Sequence, residues 1–313
     1  MDLPAAIPLV IGVTGHRDLV EDEAPAIRER VREYLSGLRA RWPNTPLIVA
    51  SQLAEGADLL VAEYRAQFSG EAAQARFDAL RAVARVVDLA TVESPHDRDA
   101  LYALAGDFLA RYSFILLALW DGKPAAGPGG TAAVVDYRFA SRGGARPATQ
   151  ELRDIALGEA DNSLVYHILV SRARVNGEPT NGHQALTAGY LHEYAGGRSA
   201  LQDAMPDHSR RVLDRTGDFN RVASREMQAG GNVAQAPLGG APHAVNRCAR
   251  LIAVSDHLAT LFRHRLMRIT AWTYGIGAVM GCAFVLYSKI PAMWGLIYVF
   301  FGAVLATIAI RRY

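Results

Sequence analysis

The sequence predicts an α/β domain built on an open parallel sheet, followed by a helical connector and a two-helix transmembrane hairpin. Two observations carry this. Apolar runs of strand length (Ile7–Val13, Leu47–Ala50, Ser113–Trp120) alternate with segments of helical spacing, the pattern of doubly covered strands joined by right-handed crossovers. Residues 269–310 hold 42 positions and one charged side chain, Lys289, whereas the other 271 residues hold 63. The net charge of +2 and the 50% hydrophobic content thus average a charge-rich body with a tail that carries almost none.

Ile7–Val13 ends in Thr-Gly and reads as a buried strand. It has no basic segment before it, so the N-terminus reads as a strand and not as a signal peptide. Ala24–Arg41 carries Ile27, Val31, Tyr34, Leu35 and Leu38 at helical spacing, with acids before it and Pro25 in its first turn. Pro43 and Pro46 precede a second strand, Leu47–Ala50, and the loop SQLAEGAD leads into a helix through about Gln67. Glu71–Ala84 reads as helical and Val86–Leu89 as a short strand; Leu101–Tyr112 is a further helix. Ser113–Trp120 is the strongest candidate for the central strand. The glycine-rich Gly127–Thr131 then opens a helix through about Ala140, and Leu164–Ser171 is the last strand candidate. Residues 176–244 are rich in Gly, Pro and Asn and read as an irregular connector after a domain over 1–175. Residues 245–268 form a juxtamembrane helix with Cys248, Leu251, Ile252, Leu258, Leu261 and Phe262 on one side.

Ile269–Tyr287 and Ala292–Ile310 give two uncharged spans separated by a short turn; at about 1.5 Å per residue each reaches roughly 28 Å, close to the hydrocarbon thickness. Neither keeps the polar stripe of a soluble helix. Trp272 and Tyr274 sit near the start of the first span, and Tyr287, Trp294 and Tyr298 flank the turn, where interfacial aromatics belong. Arg263, Arg265 and Arg268 precede the first span and Arg311 and Arg312 follow the second, so the positive-inside rule puts both termini in the cytoplasm. Gly277 and Gly281, and Gly302 and Ala306, have the spacing that lets helices approach closely, within the hairpin or between subunits. No acid, His or Arg lies mid-span, which argues against a proton relay or ion-coupled transporter. Two spans enclose no pore alone, so a pore would require a homo-oligomer.

The balanced charge gives no footprint for a nucleic-acid backbone. Two cysteines, Cys248 and Cys282, form no disulfide framework. His183, His192, His208, His243, His257 and His264 lack metal-ligand spacing, so no metal is expected. Ser51 has no evident His/Asp partnership, which leaves a hydrolase nucleophile unsupported.

Three loops follow strand carboxyl ends, where open sheets bind ligands and helix N-termini present free N–H groups. The first is Thr14-Gly15-His16-Arg17-Asp18, the second runs from Ser51 through Glu55, Gly56 and Asp58, and the third, after Asp121, is Gly127-Pro128-Gly129-Gly130-Thr131. Glycines there let consecutive N–H groups face an anion. Together the loops point to a small phosphate-bearing ligand.

The set Gly12-Val13-Thr14-Gly15-His16-Arg17, Ala54-Glu55-Gly56-Ala57-Asp58 and Trp120-Asp121-Gly122-Lys123-Pro124 with Gly129-Gly130-Thr131 resembles the SLOG superfamily, a Rossmann-like group. That group includes lysine-decarboxylase-like nucleotide phosphoribohydrolases and a DNA-processing protein. With the hairpin, the chain resembles the bacterial SLOG–SLATT arrangement of conflict and antiviral defence systems over about 7–175 and 245–310. The resemblance implies a domain that senses a nucleotide-derived ligand, with no other cofactor, and a hairpin that acts on the inner membrane of a bacterium. Phosphoribohydrolases of the group carry PGGxGTxxE, but the position three after Thr131 is Val134 and the nearest acid is Asp136. That departure turns the expectation away from an enzyme. The alternative is a membrane-anchored nucleotide-processing enzyme. Relatives also have a strand after the second helix, where this chain runs on in helical pattern. They often continue past the second span, so the resemblance implies a minimal version.

Overall fold

In a computed structural model of the chain, the described residues are 6–52, 57, 82, 84, 86, 89, 98–124, 129–140, 164–174, 176–179, 184–191, 193–194, 197–198, 201–228, 243–290 and 295–312. The expected helices through Gln67 and over Glu71–Ala84, the strand at Val86–Leu89, and Glu55, Gly56, Asp58, Gly127 and Pro128 of the loops lie wholly or mostly outside them. Two compact units divide the chain, Ala6–Arg221 and, in the main, Val222–Tyr313.

The first unit is built on a five-stranded sheet. Its strands are β1 (Leu9–Gly15), β2 (Leu47–Ala50), β3 (Ile115–Trp120), β4 (Val165–Leu169) and β5 (Ala188–Leu191), in the order β2-β1-β3-β4-β5. β1 to β4 are parallel, as their apolar runs predict. β5 is antiparallel to β4, so the sheet is mixed where a wholly parallel one was expected. β3 is central, and all six of its residues are buried.

Because strand side chains alternate between faces, β3 feeds two apolar layers. Ile115, Leu117 and Leu119 join Leu9, Ile11 and Val13 of β1 beneath α1 (Ala24–Arg41), which contributes Ile27, Val31, Leu35 and Leu38. Leu116, Ala118 and Trp120 face the other way, toward Ala110 of α2 (Arg98–Tyr112) and Val134, Val135 and Phe139 of α3 (Thr131–Ala140). The sheet is therefore covered on both sides, which is why its strands read as continuous apolar runs. The end of α2 lies directly over β1, since a Cβ on Gly12 would stand 2.8 Å from Ser113 Oγ and 3.3 Å from the Leu109 carbonyl.

The irregular connector expected over 176–244 is corrected in two places. β5 lies within it, and Asp207–Gln228 is a 22-residue helix, α4. The buried positions of α4 include Ser209, Leu213, Asn220 and Ala223. Val212, Leu213, Phe219 and Met227 share that face, so the helix is strongly amphipathic and its periodicity is legible; the charges that crowd its other face and the Gly- and Pro-rich surroundings obscure it. Asn220 is fully buried and forms two bonds to the backbone of Ile7: its side-chain amide donates to the carbonyl at 2.9 Å, and its Oδ1 accepts from the N–H at 2.8 Å. Trp42 Nε1 donates to Asp214 Oδ1 at 2.8 Å. A two-stranded ribbon, β6 (Glu193–Tyr194) with β7 (Gly197–Arg198), follows β5.

In the second unit the expected juxtamembrane helix and first span are one element, α5 (His243–Lys289), 47 residues long and so about 70 Å at 1.5 Å per residue. Over Cys248–Lys289 it is long and apolar enough to cross a membrane, and its most apolar window is only 6% buried. α6 (Leu296–Arg312) is a shorter apolar helix of 17 residues. The two pack around a cavity of about 220 Å³ lined by Ala283, Phe284, Tyr287, Leu296, Phe300 and Phe301. A Cβ added at Gly277, Gly281 or Gly302 would meet nothing within 4 Å, so the small-residue faces take no part in this packing.

Candidate functional site

β1 connects to β2 on one side of it, while β3 lies on the other, so the strand order reverses between β1 and β3. In open α/β sheets the crevice outside the carboxyl ends at such a reversal receives ligands. Two of the expected loops meet there. β1 delivers Thr14, Gly15, His16 and Arg17; β3 delivers Asp121.

Gly15 is required by close approach, because a Cβ there would stand 3.0 Å from Leu119 Cβ and far inside contact with Ala57 Cβ. The backbone continues this contact: the His16 N–H donates to the Leu119 carbonyl at 3.1 Å, and the Ala57 N–H donates to the His16 carbonyl at 3.0 Å. The second loop is thus tied to the first at Ala57. Ser51 is half-buried at the end of β2, Thr14 is buried, and Arg17 is exposed with its guanidinium 4.4 Å from the centre of the Tyr102 ring, a cation–π contact.

The third loop enters α3. Gly129 has φ 80°, the left-handed region that glycine occupies without strain. Gly130 caps the helix, its carbonyl accepting from the Val134 N–H at 3.1 Å, and Thr131 is buried in the first turn. The early N–H groups of α3 have no carbonyl partner within the helix. Val134, three residues after Thr131, is 1% exposed and packs in the apolar layer against α2 and β3. A Cβ on Gly106 of α2 would come within 2.6 Å of Val134 Cγ2 and 3.8 Å of Gln52 Nε2.

The charged centre is Asp121, 1% exposed. Its Oδ1 accepts the Lys123 N–H at 3.1 Å and lies 3.0 Å from His16 Nε2. Its Oδ2 has no hydrogen bond among the described residues; the nearest cations are Arg174 Nη2 at 3.7 Å and Arg172 Nη1 at 4.0 Å. Burial lowers the His16 pKa from its ordinary 6.5, and the nearby Asp121 carboxylate offsets this only in part, so the imidazole is neutral at pH 7.

Sequence reasoning missed the loop after β4. Arg172 Nε donates to both carboxylate oxygens of Asp18, at 2.8 and 3.1 Å. Burial raises the Asp18 pKa, but this bond and the guanidinium's charge outweigh it and hold the carboxyl below its ordinary 3.8. The Ala173 N–H donates to the Asp18 carbonyl at 2.7 Å, and Lys123 Nζ donates to the carbonyl of Asn176, which has φ 56°. The signal available was Arg172-x-Arg174 just past a buried strand.

A hollow of about 460 Å³ beside β5, lined by Arg30, Tyr166, Thr187, Ala188, Gly189 and Asp203, adjoins the stack of Tyr34 on Tyr166. It holds none of the expected residues and lacks their convergence of charge, so the strand ends are the candidate site. Among the described residues no group of three His, Cys, Asp or Glu is placed to hold a metal.

The fold and its crevice place the first unit among mostly parallel open α/β-sheet proteins. Comparisons with protein-family models, curated proteins and solved structures give no match.

Proposed function

We propose that this chain is a membrane-anchored sensor–effector of the SLOG–SLATT kind. In this reading a Rossmann-like domain binds a nucleotide-derived ligand and controls a two-helix membrane hairpin formed by α5 and α6. The observation that carries it is the meeting of His16, Asp121, Arg172 and Arg174 at the β1/β3 reversal. That arrangement supplies a buried acceptor, a half-buried cation (Arg172) and an exposed one (Arg174) where ligands of open sheets bind. The apolar, outward-facing surface of α5 supports the membrane part. Binding shifts the oligomeric state through Val245–Arg268, and the hairpins rearrange in the bacterial inner membrane with both termini cytoplasmic. The open faces at Gly277 and Gly281 favour their use between subunits. The burial of Val134 favours binding over turnover, because that position offers no group to a reacting bond.

Mass spectrometry of small molecules released from protein purified in mild detergent tests this reading. A nucleotide or nucleotide derivative retained by the wild type and lost from Gly130→Glu supports it. Release of none, or equal retention by the variant, contradicts it. Conversion of a nucleoside monophosphate to free base would instead establish the enzyme.

A further inference from the structure

Asp121 Oδ2 presents a specific chemical demand. It is a carboxylate oxygen in a residue 1% exposed, at the ligand-binding end of the sheet, with no hydrogen bond among the described residues. Leaving such an acceptor unpaired is costly, so it is built to receive a donor. The donor is not a cation, because two guanidinium groups stand 3.7 and 4.0 Å from the same oxygen and would repel one.

The arginines differ from each other. Arg172 is held by Asp18 through its Nε. Arg174 is 45% exposed along its side chain, and its contact with Asp121 is longer than a hydrogen bond. It is therefore free to turn its planar fork to an anion that arrives beside the carboxylate. The loop carrying it is fixed rather than slack: the Arg172 N–H donates to the Gly177 carbonyl at 2.8 Å, and the Gly177 N–H donates to the Arg174 carbonyl at 3.0 Å. A Cβ on Gly177 would collide with the Arg172 carbonyl.

A neutral hydroxyl next to an anionic group satisfies both halves. Resting on the reading of a nucleotide-derived ligand, we infer that Asp121 and Arg174 form a subsite for a phosphorylated ribose. Asp121 Oδ2 accepts from a free ribose hydroxyl, and Arg174 holds the neighbouring phosphate. The site therefore selects ribonucleotides over their deoxy counterparts. His16, neutral and 3.0 Å from Oδ1, positions the carboxylate and leaves Oδ2 to the sugar.

Calorimetric titration of the full chain in detergent with AMP, 2′-deoxy-AMP, 3′-deoxy-AMP, ribose 5-phosphate and adenosine tests this. Removing the bonded hydroxyl weakens binding about 10- to 100-fold, the range for a hydrogen bond to a charged group. Asp121→Asn weakens AMP by a similar factor but weakens the deoxy analogue no further, since the two changes remove one interaction. Arg174→Ala weakens AMP and ribose 5-phosphate while leaving adenosine unchanged. The analogue comparison needs no substitution, so misfolding of a variant cannot obscure it. Equal binding of AMP and both deoxy analogues overturns the inference, as does AMP binding unchanged by Asp121→Asn and Arg174→Ala. If a retained nucleotide is nevertheless found by mass spectrometry, the sensor reading survives that failure. If no nucleotide binds or is retained, both fall.

Discussion

Gly15→Ala is the sharpest perturbation of the crevice. The new methyl group would lie 3.0 Å from Leu119 Cβ, 3.1 Å from the Leu119 carbonyl oxygen, and far inside contact with Ala57 Cβ. Gly15 and Leu119 are register partners across β1 and β3, so these atoms are held by the sheet and cannot swing aside as a flexible side chain would. Overpacking a tight core costs about 1–3 kcal/mol, and here the rigid neighbours point to the upper end, about 3 kcal/mol. For a unit of this size each kcal/mol moves the melting temperature by about 2–4 °C, giving a fall of roughly 6–12 °C. Gly37→Ala is the control. Gly37 is exposed inside α1 with nothing within 4 Å of an added Cβ, so it gains about 0.5–1 kcal/mol from helix propensity. Thermal unfolding of both variants in detergent, followed by tryptophan fluorescence, should move them in opposite directions. A Gly15→Ala melting temperature within about 1 °C of wild type would refute the close packing of the crevice.

Asn220→Ala removes both side-chain bonds to the Ile7 backbone and leaves a gap where Asn220 is fully buried, costing about 1–3 kcal/mol; a urea midpoint equal to wild type would contradict this. The pH dependence follows from two lowered pKa values. His16 binds a proton more readily unfolded than folded, so stability falls as pH drops below about 6.5, and Asp18, held below 3.8, adds a further loss as pH falls through its folded value. His16→Asn should remove the upper part of that loss, and a chemical-denaturation series from pH 8 to 3, an interval of about 5 units spanning both groups, reads it directly. The cysteines report membrane insertion, because Cys248 lies at the start of the apolar stretch of α5 and Cys282 well inside it. A charged maleimide should label Cys248 in membranes opened to the cytoplasmic side and reach Cys282 only after detergent is added; equal labelling of both would contradict insertion.

How legible these features are in the sequence depends on how local they are. β1 and β3 show as apolar runs because both sides of the sheet are covered there, the half-buried edge strand β2 shows as the short run Leu47–Ala50, and α1 shows because Ile27, Val31, Leu35 and Leu38 keep helical spacing. α4 carries the same signal, with Val212, Leu213, Phe219 and Met227 on one face, but within a segment so rich in charge, and so flanked by Gly and Pro, that it reads as irregular. β5 has only four residues, Ala188–Leu191, and owes its place to pairing with β4. The same distinction governs the site. His16 and Asp121 are visible because each follows a strand. The Asp18–Arg172 pair joins residues 154 positions apart, and no periodicity or spacing announces it.

The central claim is that ligand occupancy at the β1/β3 crevice governs the membrane helices. Dye release from liposomes carrying the full chain tests it most directly, with a nucleotide-rich small-molecule extract added to wild type and to Gly130→Glu, whose added charge would meet an incoming anion at the start of α3. The account predicts extract-dependent release from wild type, none from the variant, and equal membrane insertion of both. Release that is the same with and without extract, or the same in both proteins, would contradict it.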